Sequence, residues 1–208
     1  LSAAFFWPPA FCFLFFYQVC ITMLERIFVF LLETSFFLLI GASLLRGWMN
    51  WTRISMREQP GSFVMAITNW LVIPLRRFLP TTILKSRIDW ASLIGAALLA
   101  LAYGLLLAVM FGSMSGADGI VLPSTMFALL GFAVKMLLRV ALQTLLILVF
   151  GFAILSWVQP GSPAYALLGR LIDPLITPLR RVIPTVGGID LSILALLVLL
   201  QIGLMVVS

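Results

Sequence analysis

Residues 174–190 read Pro-Leu-Ile-Thr-Pro-Leu-Arg-Arg-Val-Ile-Pro-Thr-Val-Gly-Gly-Ile-Asp, and the chain holds these words twice. The earlier copy is Ile73-Pro74-Leu75-Arg76-Arg77-Phe78-Leu79-Pro80 followed by Ile88-Asp89. Upstream of each copy stands a second pair of words, Gln59-Pro60-Gly61-Ser62 and Gln159-Pro160-Gly161-Ser162, 100 residues apart. A recurrence at this distance marks a duplicated module. Each module runs from an apolar segment through Gln-Pro-Gly-Ser, an amphipathic stretch, Pro-Leu-Arg-Arg-x-x-Pro and Ile-Asp to a second apolar segment.

The composition says where such a module lives. The chain is 63% hydrophobic and 10% charged, with a mean hydropathy of +1.20. Soluble domains are about half apolar and a quarter charged, so the expected class is an all-α integral membrane protein. The net charge is +6. Its basic residues flank apolar spans, so the expected partners are anionic lipid headgroups rather than nucleic acid. There is no His, and the two Cys, Cys12 and Cys20, share the first apolar run. No metal-ligand spacing, nucleophile–base pair or Gly-rich phosphate loop is present, so no catalytic, metal or cofactor site is expected.

Taken in order, residues 1–22 are either an over-extended reading frame or an extra hydrophobic hairpin. The first repeat is placed at 23–112, with spans at about 27–45 and 90–111. A linker covers 113–124, and the second repeat covers 125–208, with spans at about 140–158 and 191–207. Four spans of this length each suit a core of about 30 Å. The pattern at 125–157 reads as one helix, longer than the core needs. Lys and Arg number seven in 46–89, three in 158–190 and none in 112–124. The positive-inside rule then puts both Pro-Leu-Arg-Arg loops in the cytoplasm and makes the repeats parallel.

The motifs admit plain readings beside sharper ones. Ser62 and Ser162 are expected helix caps at the Gln-Pro-Gly-Ser turns, and Asp89 and Asp190 cap the spans that follow them. The stretches 62–73 and 163–173 are too short to span. Phe63, Ile67, Trp70 and Leu71, and Tyr165, Leu168, Leu171 and Ile172, offer apolar faces for a helix lying in the interface, with re-entry as the alternative. Arg76, Arg77, Arg180 and Arg181 are expected to contact headgroups, or to dock a cytoplasmic or membrane protein, at proline-bracketed turns. Glu33 lies inside a span, and Lys135, Arg139 and Gln143 form a polar stripe at i, i+4, i+8. A pair between Glu33 and Arg139 or Lys135 is the structural reading, and a transport path the sharper one.

The paired Pro-Leu-Arg-Arg-x-[Ile/Leu]-Pro words, each followed by Ile-Asp and an apolar span, resemble the YggT (YlmG-like) family of small integral membrane proteins. The resemblance covers Met23 to Ser208. In that family an Arg stands five residues before the Trp closing the first span of each module. Arg46 and Trp51 match, whereas Phe152 holds the place before Trp157. The resemblance implies a non-enzymatic membrane factor tied to cell division, envelope or osmotic homeostasis, and in plastid relatives to cytochrome maturation or nucleoid organisation. A scaffold for lipid or protein partners is the first expectation. A small channel or transport accessory, formed as a homo-oligomer with Glu33 and the stripe lining a shared path, is the alternative.

Overall fold

The long apolar runs become helices because they carry no competing polar backbone partners and few breakers. A computed structural model describes residues 9–54, 61–78, 89–112, 126–181 and 191–207. Six helices lie among them: α1 (Pro9–Trp51), α2 (Gly61–Phe78), α3 (Trp90–Gly112), α4 (Met126–Val158), α5 (Pro163–Arg180) and α6 (Leu191–Val207). Three stretches are long and apolar enough to cross a membrane: Thr22–Trp51, Trp90–Met110 and Phe127–Val158. These mark an integral membrane protein. The fourth expected span, α6, is apolar but only 17 residues long, about 26 Å at 1.5 Å per residue.

The chain divides into two units, Leu1–Phe37 and Leu38–Ser208. In the first, the hydroxyls of Thr34 and Ser35 each donate to the carbonyl four residues back, at 2.7 Å. That arrangement hides two polar groups in an apolar helix. Glu33 is exposed on the same helix.

In the second unit α4 is the central element: α3, α5 and α6 all pack on it, α5 packs on α6, and α2 on α3. Met49, Val149, Phe152, Leu171, Ile172, Ile176, Leu196 and Leu200 form its apolar core. The approach of α3 depends on small residues at every fourth position, with Ser92, Ala96 and Ala100 fully buried. Gly104 continues this row, and a Cβ there would stand 2.9 Å from the Phe132 ring. Between lipid-embedded helices, where water supplies no driving force, such rows permit the close contact that holds the pair.

Two helix ends are built by local chemistry. α1 closes in a Schellman arrangement: Ile54 N donates to Met49 O at 3.1 Å and Arg53 N to Asn50 O at 3.2 Å. Arg53 takes the left-handed conformation, φ 56°, a place that glycine usually fills. With no glycine to announce it, the stop at Trp51 has no signal of its own in the sequence. At the other turn Gly161 has φ 96°, and Ser162 caps α5 by accepting from the Tyr165 amide at 3.2 Å.

Two expectations are corrected. Pro74, Pro174 and Pro178 lie inside α2 and α5, so the described part of each Pro-Leu-Arg-Arg segment is helix, not turn. The proline φ suits a helix; what it removes is one N–H. Burial of Val72, Leu171, Ile172 and Ile176 outweighs that loss. Ser62 is the second residue of α2, within the helix instead of capping it. The face of α2 packed against the protein is Val64, Thr68 and Val72, and Phe63 and Trp70 of the expected interfacial face are exposed, as residues that turn toward lipid would be.

Candidate functional site

Three helices of the second unit bring charged groups together where the sequence separates them by up to 43 residues. From α1, Arg46 is 5% exposed, and its Nη1 donates to Thr68 Oγ1 at 2.8 Å and Asn69 Oδ1 at 2.9 Å on α2. Asp89, just before α3, is also buried. Its Oδ2 accepts from Arg76 Nη2 at 2.9 Å and from Ser92 Oγ at 3.0 Å. Arg46 Nε stands 3.9 Å from the same oxygen, too far for a hydrogen bond. That Nε is buried and has no hydrogen-bond partner among the described residues.

One carboxylate therefore serves two guanidinium groups of different exposure. The Arg76 side chain is 47% exposed and that of Asp89 is 4%. The Arg46 side chain is 7% exposed, so its charge depends on Asp89 and on the Thr68 and Asn69 oxygens instead of water. Chemically the cluster ties α1, α2 and α3; it offers no nucleophile or base with an open face.

The matching place in the second half has different chemistry. Phe152, five residues before Trp157, is buried and stacks on Tyr165 of α5 at 4.8 Å and 11°. Gly169 makes room for it, since a Cβ there would lie 3.4 Å from the Phe152 ring. Both residues reach the amphipathic helix that follows them, one through hydrogen bonds and one through a ring face.

α5 carries the other polar feature. It buries Leu171, Ile172 and Ile176 and exposes Arg170, Asp173, Thr177 and Arg180, with Arg181 exposed beyond its end. Pro174 cannot donate to the carbonyl four residues before it, and its ring crowds that turn. Beside this interruption Trp48 Nε1 of α1 donates to Leu171 O at 2.9 Å, joining the two halves of the second unit.

The expected residues thus fall in distinct places. Arg76 and Asp89 meet; Arg77, Arg180 and Arg181 are exposed; Asp190 lies outside the described residues. Glu33 belongs to the first unit, and Lys135 and Arg139, both exposed, to the second. Sequence reasoning missed Thr68 and Asn69, which look like ordinary polar residues of an amphipathic stretch. The useful signal was Arg46 itself, a cation five residues before the end of α1. No group of metal-binding side chains occurs among the described residues.

Comparison with known proteins supplies the family. The sequence model described as CCB3/YggT matches residues 25–110 and 131–208. The chain is 35% identical over 176 residues to the uncharacterized protein YggT of Escherichia coli strain K12, covering 83% of this chain and 85% of that one. It is 33% identical over 173 residues to the uncharacterized protein in the proC 3' region of Vibrio alginolyticus, covering 83% and 88%. The uncharacterized protein PA0392 of Pseudomonas aeruginosa is 33% identical over 188 residues, covering 86% and 88%. No solved structure matches.

Proposed function

This chain belongs to the CCB3/YggT family, and from that premise we propose a non-enzymatic scaffold or assembly factor of the bacterial inner membrane. Its work would lie in cell division, the envelope or osmotic homeostasis. One observation carries the reading: α5 is fixed by a buried apolar stripe and turns a row of charged side chains outward. A helix so held can present Arg180 and Arg181 to anionic headgroups or to a protein partner without rearranging. In the first half the Arg46, Arg76 and Asp89 charges hold helices together, which suits a platform better than a reaction site. The two matched stretches fit a duplicated module, and the excess of Lys and Arg in 46–89 and 158–190 supports a parallel arrangement with Arg77 and Arg181 on one cytoplasmic side.

The topology has a direct test. Ser55→Cys and Thr185→Cys should react with an impermeant thiol reagent only in inverted vesicles, and Ser115→Cys only in intact cells. Labelling of Ser55→Cys and Ser115→Cys from one side would overturn the parallel arrangement.

The channel alternative rests on Glu33 inside a span, where an ionisable group is a functional candidate. Proteoliposomes holding only the purified chain should show no ion flux above empty vesicles. Glu33→Leu alone should keep complementation in cells, as expected where the carboxylate lies on no transport path. Flux abolished by Glu33→Leu would replace the scaffold with the channel.

A further inference from the structure

Two grooves of the second unit meet at Trp51. One is apolar, has a volume of about 320 Å³ and is lined by Leu44, Leu45, Trp48, Trp51, Leu145 and Leu148. The other is open and polar, about 640 Å³, and is lined by Trp51, Arg170, Asp173, Thr177 and Arg181 among others. Trp51 is 46% exposed, and its ring lies 5.0 Å from that of Trp48. An indole pair between an apolar groove and a charged one is what the headgroup level of a bilayer favours. We propose that the two grooves together hold one glycerophospholipid with a phosphoethanolamine headgroup, an acyl chain lying in the apolar groove and the headgroup between Arg170, Asp173 and Arg181.

The charges of the polar groove select that headgroup. Two guanidinium forks suit a phosphodiester, each offering parallel N–H donors to its oxygens. Asp173 then requires a cation, and among the described residues no ion pair supplies one. A primary ammonium brings three donors. Pro174 and Pro178 have no N–H, so the carbonyls of Arg170 and Pro174 lack their usual donor four residues on and add acceptors on the same turn. A phosphoglycerol headgroup leaves Asp173 facing an anion, and a phosphocholine headgroup carries a cation with no N–H to give. The inference rests on the chain's being lipid-embedded, as the proposed scaffold is, but not on any contact of Arg76, Arg77 or Arg180.

Native mass spectrometry of the full chain in detergent, with equal amounts of phosphatidylethanolamine, phosphatidylglycerol and phosphatidylcholine of identical acyl chains, tests it. The unaltered chain should retain one phosphatidylethanolamine about tenfold over the other two. Arg170→Ala with Arg181→Ala should lower that retention about tenfold. Asp173→Asn should abolish the preference over phosphatidylglycerol while lipid stays bound. All three positions are exposed, so the thermal midpoint should not move. Ala141→Phe, which narrows the apolar groove, should weaken retention of all three lipids alike. Equal retention of the three by the unaltered chain, or unchanged retention in the double arginine variant, overturns the site. Failure here without ion flux leaves the scaffold standing, whereas flux with selective lipid retention removes the scaffold and keeps the site.

Discussion

Asp89→Ala should lower the stability of the detergent-solubilised protein by about 3–5 kcal/mol, the scale of a buried pair broken on one side. The carboxylate is almost fully enclosed and is the only acid the two neighbouring guanidinium groups share among the described residues. Arg76 loses little in the variant, because nearly half of its side chain already meets solvent or headgroups. Arg46 loses much more: it keeps Thr68 and Asn69, but its charge stays buried with no anion beside it. Arg76→Ala should therefore cost no more than about 1 kcal/mol, as partly exposed pairs do. Arg46→Leu combined with Asp89→Leu should recover most of the Asp89→Ala loss, since removing both members of a buried pair is often neutral. Thermal unfolding of the three variants separates these cases. Equal, small losses for Asp89→Ala and Arg76→Ala would mean that Arg46 does not depend on the carboxylate.

Phe152→Arg should be about as damaging, roughly 3 kcal/mol or more, although it restores the residue type that the family pattern places before Trp157. Phe152 is buried against the Tyr165 ring and Gly169, with Leu171 and Ile172 in the same core. A guanidinium set there would meet a ring face and aliphatic carbons. At the Arg46 position the neighbouring helix instead offers Thr68 and Asn69. Phe152→Leu, which keeps the apolar character and loses the stacking, should cost only about 1–2 kcal/mol. A Phe152→Arg protein as stable as the parent would show that Asp190 can reach the new cation as Asp89 reaches Arg76. The second half would then be able to hold the same cluster as the first.

These two outcomes divide along the line between what is legible in residue order and what is not. The run from Trp90 to Met110 reads as a span because its apolar character is continuous, and continuity is a property of the sequence. The 33-residue α4 is equally plain, having no proline between Met126 and Val158 and its charged residues confined to one stripe at i, i+4. Ser162 was visible as a cap because a side-chain oxygen before Pro163 satisfies the first amides using neighbours only. The end of α1 was not visible. A left-handed Arg53 is costly by itself and persists because Ile54 packs on the cluster that contains Met49.

By itself the sequence determined the class, the duplicated words and the membrane setting, since hydropathy, repeat spacing and charge counts are sums over residues and need no partner. Only the tertiary structure decided what the duplicated words do inside one molecule. Asp89, taken alone, is an acid at a helix start. With α1 and α2 against it, it becomes the counter-ion of Arg46 and Arg76. The prolines of Pro-Leu-Arg-Arg read as breakers until the packed stripes of α2 and α5 hold those segments helical around them. The physical reason is the same in each case: a charge or a missing N–H has a local cost, and whether that cost is met depends on groups tens of residues away.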